Sequence, residues 1–330
     1  MEEKNSVTLA DVKAAAERIA PYIRRTQLLR EPLLDKDLGC EVYLKPEMLQ
    51  YTGAFKLRGA LAKTLALTPE QRAKGIICSS SGNHAQACAY AGRLLGFRSV
   101  AVVPEDTPEI KIALTENMGG EIIKWDRSYQ ARWKKVRDEV AEHGYTMVHG
   151  YEDYTVMAGQ GTIALEVMED LPELETMVVP IGGGGLISGI ATAIKETNPK
   201  IRVVGVQAAA SASNYYSRKE GHIVRVENQP TLADGIECCI ASEVTYPIIE
   251  KYVDEIVIVE EDDIAKAVTL IGDKAKLVAE PTSCVVIAAL MAKTFSVRPD
   301  EKVCALLTSG NWDIDLVGKL YKGEHVDGVC

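Results

Sequence analysis

Residues 179–189 read Val-Pro-Ile-Gly-Gly-Gly-Gly-Leu-Ile-Ser-Gly, with four consecutive glycines between an apolar run and a helix-forming run. The apolar run is typical of a buried strand, and the residues after the glycines are typical of a helix. Glycines at such a junction let several backbone amides approach an anion closely. A flexible hinge fits less well, because strand and helix signals adjoin the glycines on both sides. The turn lacks the Lys-Ser/Thr pair of nucleoside-triphosphate loops and the spacing of dinucleotide fingerprints, so we predict that it binds a lone phosphate.

Short apolar runs alternate with amphipathic stretches on both sides of this turn. The runs are rich in Val and Ile without polar alternation, which is typical of strands covered on both faces of a parallel sheet. Strands are predicted at 75–78, 99–103, 121–124, 145–149, 176–181, 202–207, 255–259 and 302–307, and helices at 84–95, 110–118, 129–142, 186–196, 262–274 and 282–292. We therefore predict an α/β fold with two open, mostly parallel, twisted sheets flanked by helices.

The two series of strands predict two units with the site in the cleft between them. We expect a large unit formed by residues 1–70 and 150–330, and a small mobile unit formed by residues 71–149. No Pro-rich or Gly/Ser-rich linker marks the join between them.

Composition excludes several classes of function. The 330 residues carry a formal net charge of −10, and no stretch is basic enough to follow a phosphate backbone, which argues against nucleic acid as a partner. No apolar run approaches the roughly 18–20 residues that span a bilayer, so no membrane partner is expected. The polar first ten residues do not resemble a signal peptide, and the eight cysteines show no C-x-x-C pair. We expect a cytoplasmic protein whose cysteines are free thiols.

Residues 52–60, Thr-Gly-Ala-Phe-Lys-Leu-Arg-Gly-Ala, place Lys56 among small and apolar neighbours at a turn into a helix. Burial lowers the pKa of an ammonium group, and a neutral amine can both form an imine and accept a proton. Phe55 could lie against an aromatic ring. A helix N-terminus with a surface lysine and arginine is an equally good interpretation of this segment alone.

Two other segments place hydroxyl and amide side chains after predicted strands. Residues 79–86, Ser-Ser-Ser-Gly-Asn-His-Ala-Gln, lead into a helix whose first amides suit a carboxylate. Residues 307–311, Leu-Thr-Ser-Gly-Asn, end an apolar strand, where a hydroxyl could meet a heterocyclic nitrogen. Taken singly, the first could be an ordinary N-cap and the second an ordinary turn.

In this order and at these separations, the four segments resemble pyridoxal-phosphate enzymes of the tryptophan synthase β-subunit fold. More narrowly, they are similar to the threonine dehydratase, serine dehydratase and serine racemase branch. The resemblance extends from Thr26 to Asn311 and includes residues 158–164 and 233–236, Ala-Gly-Gln-Gly-Thr-Ile-Ala and Ala-Asp-Gly-Ile. Related sulfhydrylases and threonine synthases usually have an acidic residue directly after the lysine, where this chain has Leu57.

The resemblance implies a role for each of these segments. Lys56 would hold pyridoxal 5'-phosphate as a Schiff base and abstract the substrate α-proton. The implied cofactor-binding residues are Phe55, Lys56, Asn83, Gly182, Gly183, Gly184, Gly185, Leu186, Gly235 and Thr308, with the glycine turn at the phosphate and Asn83 at the phenolic oxygen. The implied substrate-binding residues are Ser79, Ser80, Ser81, Asn83 and His84, which would take the α-carboxylate.

Thr308 and Ser81 favour different reactions. Thr308 aligns with the family's serine at the pyridine nitrogen, and a hydroxyl cannot keep that nitrogen protonated as an aspartate would, which favours prompt loss of a β-hydroxyl group. Ser81 aligns with the serine that stands opposite the lysine in racemases, whereas many threonine dehydratases have alanine there. It could deliver a proton to the second face, and a capping or filler role is about equally compatible with the sequence.

This chain departs from the family's pattern at several positions. Ser309 stands where the usual Ser-Gly-Gly-Asn has glycine, which puts substrate scope in doubt, and Ala54 replaces the commoner serine. Gln207 and Ser213 match positions that carry a Glu and an Asp at the divalent-cation site of racemase-like members. Neutral amide and hydroxyl groups are poor ligands for a hard cation, so we predict no metal there.

Arg132 lies in a predicted helix at a position that can face a substrate's distal group in racemase relatives. As a bidentate partner of a carboxylate it would suit hydroxyaspartate. A solvated helix arginine beside Lys134 and Lys135 is the more common situation.

The leading prediction is an ammonia-lyase that converts L-threonine or L-serine to a 2-oxo acid and ammonia. The alternatives are an amino acid racemase with elimination as a side activity, a hydroxyaspartate ammonia-lyase, and a non-catalytic metabolite-binding protein, which the retained Lys56 disfavours. A homodimer is the family expectation.

Overall fold

The computed structural model describes residues 6–326. Its helices are α1 (Leu9–Ile19), α2 (Pro32–Leu38), α3 (Lys56–Leu65), α4 (Pro69–Lys74), α5 (Asn83–Leu95), α6 (Glu109–Asn117), α7 (Tyr129–His143), α8 (Tyr154–Asp170), α9 (Gly185–Thr197), α10 (Ser213–Glu220), α11 (Tyr246–Tyr252), α12 (Glu261–Leu270), α13 (Pro281–Met291) and α14 (Ile314–Tyr321). Its strands are β1 (Leu29–Arg30), β2 (Glu41–Pro46), β3 (Ile76–Ser79), β4 (Ser99–Pro104), β5 (Glu121–Trp125), β6 (Thr146–Met147), β7 (Thr176–Pro180), β8 (Arg202–Ala208), β9 (Glu255–Val259) and β10 (Lys302–Leu307).

The strands form two sheets. The larger has the order β1-β2-β10-β7-β8-β9, and the smaller has the order β5-β4-β3-β6. All pairings are parallel except that of the edge strand β1 with β2. The two mostly parallel sheets with flanking helices confirm the predicted fold class. The strands of the smaller sheet all come from residues 76–147, within the segment predicted as the small unit, whose mobility stays a prediction.

Most predicted elements are present with ends that differ by one or two residues. The strand predicted at 145–149 shrinks to Thr146–Met147 at the edge of the smaller sheet. The helix predicted at 262–274 ends its α-helical part at Leu270 and continues as one π-helical turn over Ile271–Ala275. Strands β1 and β2 and helices α1, α2, α4, α8, α10, α11 and α14 were not predicted. Helix α8 is buried on nearly all sides, so its sequence shows no single apolar face.

Helix α8 lies at the centre of the larger unit and packs against α1, α3 and α9. Its contact with α9 depends on glycine: a Cβ atom on Gly189 would lie 2.0 Å from the carbonyl oxygen of Met157. A Cβ atom on Gly161 would similarly lie 2.6 Å from the carbonyl oxygen of Gly189. The two helices therefore approach each other more closely than residues with side chains would allow.

A buried ion network ties α8 to α3. The Arg58 guanidinium donates to both carboxylate oxygens of Glu47, at 2.8 Å each, and to both of Glu166, at 2.6 and 2.9 Å. Lys45 donates to Glu166 at 2.6 Å, and the side chains of Arg58, Glu47 and Lys45 are fully buried. Arg58 is two residues after Lys56, so this network fixes the helix that begins with that lysine.

Two further predictions concern the chain as a whole. None of the helices within residues 6–326 is long and apolar enough to cross a bilayer. The seven cysteines in the described part of the chain are free thiols, as predicted, and the eighth, Cys330, lies outside it.

Candidate active site

The carboxyl ends of parallel strands from both sheets meet at one cavity of about 300 Å³. Residues that follow β3, β7 and β10 line it, together with the start of α3. The predicted site residues at its wall are Phe55, Lys56, Ser79, Ser80, Ser81, Asn83, His84, Gly182, Gly183, Gly184, Gly185, Leu186, Gly235 and Thr308. Segments more than 250 residues apart in sequence thus share one site, and their individual roles stay predictions.

Lys56 is the first residue of α3, and its Nζ atom lies 3.1 Å from the carbonyl oxygen of Gly150 and 5.1 Å from the centre of the Phe55 ring. Burial lowers the pKa of the Lys56 ammonium to about 8. The positive end of the helix dipole acts in the same direction. At pH 7 about a tenth of this amine is therefore neutral and nucleophilic, far more than of an ordinary lysine.

The loop before Lys56 is held against the loop after β10. The amide of Phe55 donates to the carbonyl of Thr308, and the amide of Gly310 donates to the carbonyl of Gly53, both at 3.0 Å. Gly53 has φ +70°, and a Cβ atom there would lie 2.2 Å from the Asn311 side chain, so only glycine fits. These contacts fix Lys56 and Thr308 relative to each other.

The glycine turn joins β7 to the N-terminus of α9. Gly184 has φ +89° and precedes the first residue of the helix, so the chain turns through a conformation that favours glycine. Outside the cavity the turn is held by Thr245 Oγ1, which donates to the Gly183 carbonyl at 2.8 Å, and by Asn214 Nδ2, which donates to the Gly182 carbonyl at 3.0 Å. With the carbonyls engaged from behind, the first amides of α9 are the groups offered to an anion.

His84 lies on the first turn of α5, and its ring is buried. Nε2 lies 3.0 Å from the carbonyl oxygen of Val148 and 3.7 Å from Cys88 Sγ. Burial, together with the nearby charge of Lys56, lowers the pKa of His84 to about 3, so the ring is neutral. Because Nε2 faces a carbonyl oxygen, it carries the single ring proton, and the unprotonated Nδ1 cannot donate to a carboxylate. At this helix start the backbone amides are the groups that can donate to a carboxylate.

Arg132 does not lie where the sequence interpretation placed it. It is not among the residues that line the cavity, and its guanidinium donates to the carbonyl of Arg127 on the same segment. Helix α7 presents Tyr129 and Trp133 to the cavity instead, and the Trp133 ring stacks on His149 at 4.5 Å. Arg132 is one residue before Trp133, about 100° around the helix from it, and its side chain is turned toward the segment before α7.

Gln207 is fully buried and its side chain is engaged within the protein. Nε2 donates to the carbonyls of Ile181 and Ser211 at 3.3 and 3.4 Å, and Oε1 accepts from the amide of Tyr215 at 2.9 Å. The Gln207 side-chain amide thus satisfies three backbone groups, two carbonyls and one N–H. The absence of a metal requirement stays a prediction.

A family model described as pyridoxal-phosphate dependent enzyme matches residues 19–309. The chain belongs to this family. It is 41% identical over 318 residues to an L-threonine ammonia-lyase of Thermotoga maritima, covering 95% of this chain and 78% of that protein. It is 37% identical to an L-threo-3-hydroxyaspartate ammonia-lyase of Saccharomyces cerevisiae, covering 96% and 97% of the two chains. A solved serine racemase from Dictyostelium discoideum superposes with a TM-score of 0.88 at 34% identity, covering 93% and 99%.

The cavity of this pyridoxal-phosphate enzyme suits its cofactor in size and chemistry. About 300 Å³ is at the lower end of the range for small-molecule sites. An amine of lowered pKa, a ring side chain beside it and a glycine turn at a helix N-terminus match the aldehyde, the pyridine ring and the phosphate. Lys56, Phe55 and residues 182–186 would hold these three parts.

Sequence reasoning missed Glu280, which lines the cavity of this enzyme with its side chain buried. It precedes α13 and accepts a hydrogen bond from Asn83 Nδ2 at 3.2 Å and another from the Ser309 hydroxyl. Lys111 also lines the cavity and pairs with Asp234 at 3.3 Å. A Glu-Pro pair before an apolar helix is a common helix start, so no local pattern marked Glu280 as a site residue.

Proposed function

We propose that this enzyme is an ammonia-lyase that converts L-threonine or L-serine to the corresponding 2-oxo acid and ammonia. The observation that carries the proposal is the cavity shared by the Lys56 amine, the serine-rich start of α5 and the Thr308 hydroxyl. The name and 41% identity of the Thermotoga maritima relative support the same reaction. When bound, pyridoxal phosphate supplies the electron sink for the pair released at the α-carbon.

The protein's own groups have separate tasks in this reaction. The amides at the start of α5 and the hydroxyls of Ser79 and Ser80 bind the substrate carboxylate and so orient its α-hydrogen. The Lys56 amine accepts that proton while the β-hydroxyl leaves. Water then hydrolyses the released enamine to the 2-oxo acid and ammonia, so that no net water is consumed.

Hydroxyaspartate is a second candidate substrate, because Lys111 lines the cavity. An ammonium group there can meet a second carboxylate, whereas the Arg132 guanidinium donates to the Arg127 carbonyl. The name of the Saccharomyces cerevisiae relative supports this candidate. Racemisation is a third, supported by Ser81 at the cavity wall and by the fold shared with serine racemase.

A substrate panel separates these candidates. Purified enzyme with pyridoxal phosphate is incubated with L-threonine, L-serine, L-threo-3-hydroxyaspartate and L-aspartate, and both 2-oxo acid formation and optical rotation are followed. We expect 2-oxo acid from threonine or serine at the highest rate. Loss of optical rotation without 2-oxo acid would show a racemase instead, and 2-oxo acid from hydroxyaspartate alone would show the second candidate.

We further propose that residues 71–149 move as a small unit to close over the substrate, that the enzyme is a homodimer, and that it acts in the cytoplasm. The smaller sheet and the Ser79–Ser81 segment belong to this unit, which supports closure on a bound carboxylate. Closure is tested by hydrogen exchange: the exchange of residues 71–149 should slow when a substrate analogue binds.

The homodimer is tested by sedimentation. At micromolar concentration it should give the mass of two chains, and a single-chain mass would contradict the dimer.

A further inference from the structure

Ser309 is a distinctive feature of the cavity, because the family resemblance leads us to expect glycine there. Its side chain is 1% exposed and its hydroxyl donates to the Glu280 carboxylate. Its oxygen also lies 3.3 Å from Thr308 Oγ1. A continuous line of polar atoms therefore runs from Glu280 through Ser309 to Thr308, the residue expected at the pyridine nitrogen.

Ser283 fixes this line in place. Its hydroxyl donates to the Ser309 carbonyl and accepts from the Ser309 amide, both at 2.7 Å, and lies 3.0 Å from Thr308 Oγ1. Because the proton of Ser283 is committed to a carbonyl, Ser283 holds the backbone of the loop. Along this line, only the protons of the Glu280 carboxyl group and of the Ser309 and Thr308 hydroxyl groups can change their hydrogen-bond partners.

The protonation of the Glu280 carboxyl group depends on its burial and on three nearby titratable groups. Asp234 and Lys111, which pair with each other, act on it from outside α13, and Cys284 lies near it on that helix. Burial, assisted by the Asp234 charge, raises the pKa of Glu280 to about 7, although the hydrogen bonds from Ser309 and Asn83 and the Lys111 charge oppose this. The carboxyl can therefore gain or lose its proton near neutral pH.

We propose that Glu280, Ser309 and Thr308 form a proton wire that sets the protonation of the cofactor's ring nitrogen. This inference rests on the proposed function, in which Thr308 meets that nitrogen. Glu280 and Ser309 then act as positioning residues for a proton, and the Ser309 hydroxyl is the link that a glycine would lack.

The proton balance of the wire is simple. The carboxyl proton of Glu280 passes to Ser309 Oγ, the Ser309 hydroxyl proton passes to Thr308 Oγ1, and the Thr308 proton passes to the ring nitrogen. Glu280 becomes negative and the ring positive, so the total charge is unchanged. A carboxylate at Glu280 thus orients both hydroxyls with oxygen lone pairs toward the ring, which favours the protonated nitrogen, and a neutral carboxyl orients them the opposite way.

The wire bears on the choice between elimination and racemisation. A protonated ring withdraws more electron density from the substrate α-carbon than a neutral ring does. The α-carbon therefore stays deprotonated for longer before the β-hydroxyl leaves, and a proton has more time to return to it. A bare hydroxyl at Thr308 leaves the ring neutral and favours prompt elimination. With Glu280 connected through Ser309, the same site can hold a ring proton and support both outcomes.

Holoenzyme loaded with pyridoxal phosphate labelled with ¹⁵N in the ring tests the wire without relying on activity. The ¹⁵N shift and the absorbance of the cofactor are followed as the pH is lowered through about 7, the pKa of Glu280. Three variants are compared with the parent protein. Ser309→Ala removes the linking hydroxyl, Ser309→Thr keeps it, and Glu280→Gln keeps an acceptor for Ser309 but cannot release a proton.

We expect the ring-nitrogen resonance of the parent and of Ser309→Thr to titrate near this pH, and that of Ser309→Ala and Glu280→Gln to show no transition there. The same titration in the parent and Ser309→Ala would overturn the wire, because the hydroxyl would then only satisfy a buried carboxyl. A parent protein that binds no cofactor and shows no visible absorbance band from it would contradict the proposed function instead.

Discussion

Lys56 has its chemistry because of where the chain places it. As the first residue of a helix within the cavity wall, its amine is desolvated and meets the positive end of the helix dipole. The flanking sequence predicted this environment from small and apolar neighbours alone. The distance to the Gly150 carbonyl, by contrast, joins residues 94 positions apart and could not be predicted.

The rate at which apoenzyme captures pyridoxal phosphate should depend on the protonation of Lys56. Because only the neutral amine attacks an aldehyde, and burial lowers the Lys56 pKa to about 8, the rate should rise with pH up to about 8 and level off above it. Stopped-flow absorbance over a pH series measures this. A rate that continued to rise toward the ordinary lysine pKa of about 10.4 would contradict a desolvated amine.

Ser81→Ala tests whether a second proton-transferring group faces the substrate. If Ser81 delivers a proton opposite Lys56, the variant should lose racemisation by about 10²–10⁴-fold while 2-oxo acid formation changes little, because positioned proton transfer contributes about that much. Chiral chromatography of recovered serine and a 2-oxo acid assay give the two rates. Equal losses in both rates would assign Ser81 to substrate binding.

Among the functional side chains, those beside glycines or in hydroxyl-rich turns were accessible to sequence reasoning, because their neighbours are chemically unusual. Glu280 was not, since its environment is built by Asn83 and Ser309 from other parts of the chain. For Arg132 the sequence left two interpretations open, with a solvated helix arginine the more common situation. The cavity lining contains Tyr129 and Trp133 of α7 and not Arg132.

At the level of elements, α8 packs against α3, the helix that begins with Lys56, and the buried pair of Glu166 with Arg58 joins the two helices. Removing one partner of a buried pair leaves the remaining charges uncompensated, at a cost of about 3–5 kcal/mol. Glu166→Gln should therefore lower the free energy of unfolding by about this amount in urea titration. Glu169→Gln on the same helix is the control.

Glu169 pairs with Arg25 at the surface, where its side chain is 74% exposed. Exposed pairs contribute about 0–1 kcal/mol, so this control should be nearly neutral. If both variants lost the same small amount of stability, the Arg58 network would not anchor α3 to α8.

The close approach of α8 and α9 makes a second prediction at this scale. Gly189→Ala would place Cβ 2.0 Å from the Met157 carbonyl oxygen, which is backbone and cannot move aside without shifting α8. We expect a loss of at least about 1–3 kcal/mol in thermal or urea unfolding. Gly318→Ala in α14, where nothing lies within 4 Å, should instead be neutral or stabilise by up to about 1 kcal/mol.

A comparable loss of stability in Gly318→Ala would show that the loss in Gly189→Ala comes from alanine in a helix and not from the contact between α8 and α9.

The sequence could not reveal the contact between α8 and α9, because Gly161 and Gly189 are 28 residues apart and each is unremarkable in its own segment. Strands β3 to β10, by contrast, were predictable, since Val- and Ile-rich runs on parallel sheets need no partner to be recognised.

For the whole molecule, the decisive feature is that parallel strands bring their carboxyl ends to one edge. The resemblance to pyridoxal-phosphate enzymes allowed the segments around residues 56, 79, 182 and 308 to be assigned to one site from sequence, and the structure places them around one cavity. The last three of these segments lie at the carboxyl ends of parallel strands. The order of strands in the larger sheet, in which β10 lies between β2 and β7, was not predictable, because it depends on long-range packing.

The central claim is that the Lys56 amine captures pyridoxal phosphate in this cavity. Borohydride reduction of the purified holoenzyme, followed by proteolysis and mass spectrometry, tests it most directly, with Lys36→Ala, a surface substitution, as a control that should be labelled normally. We predict that the phosphopyridoxyl group is found on the peptide containing Lys56 and is absent from a Lys56→Ala variant. A label on another lysine, or an unmodified Lys56 in protein that shows the cofactor's absorbance, would contradict the account.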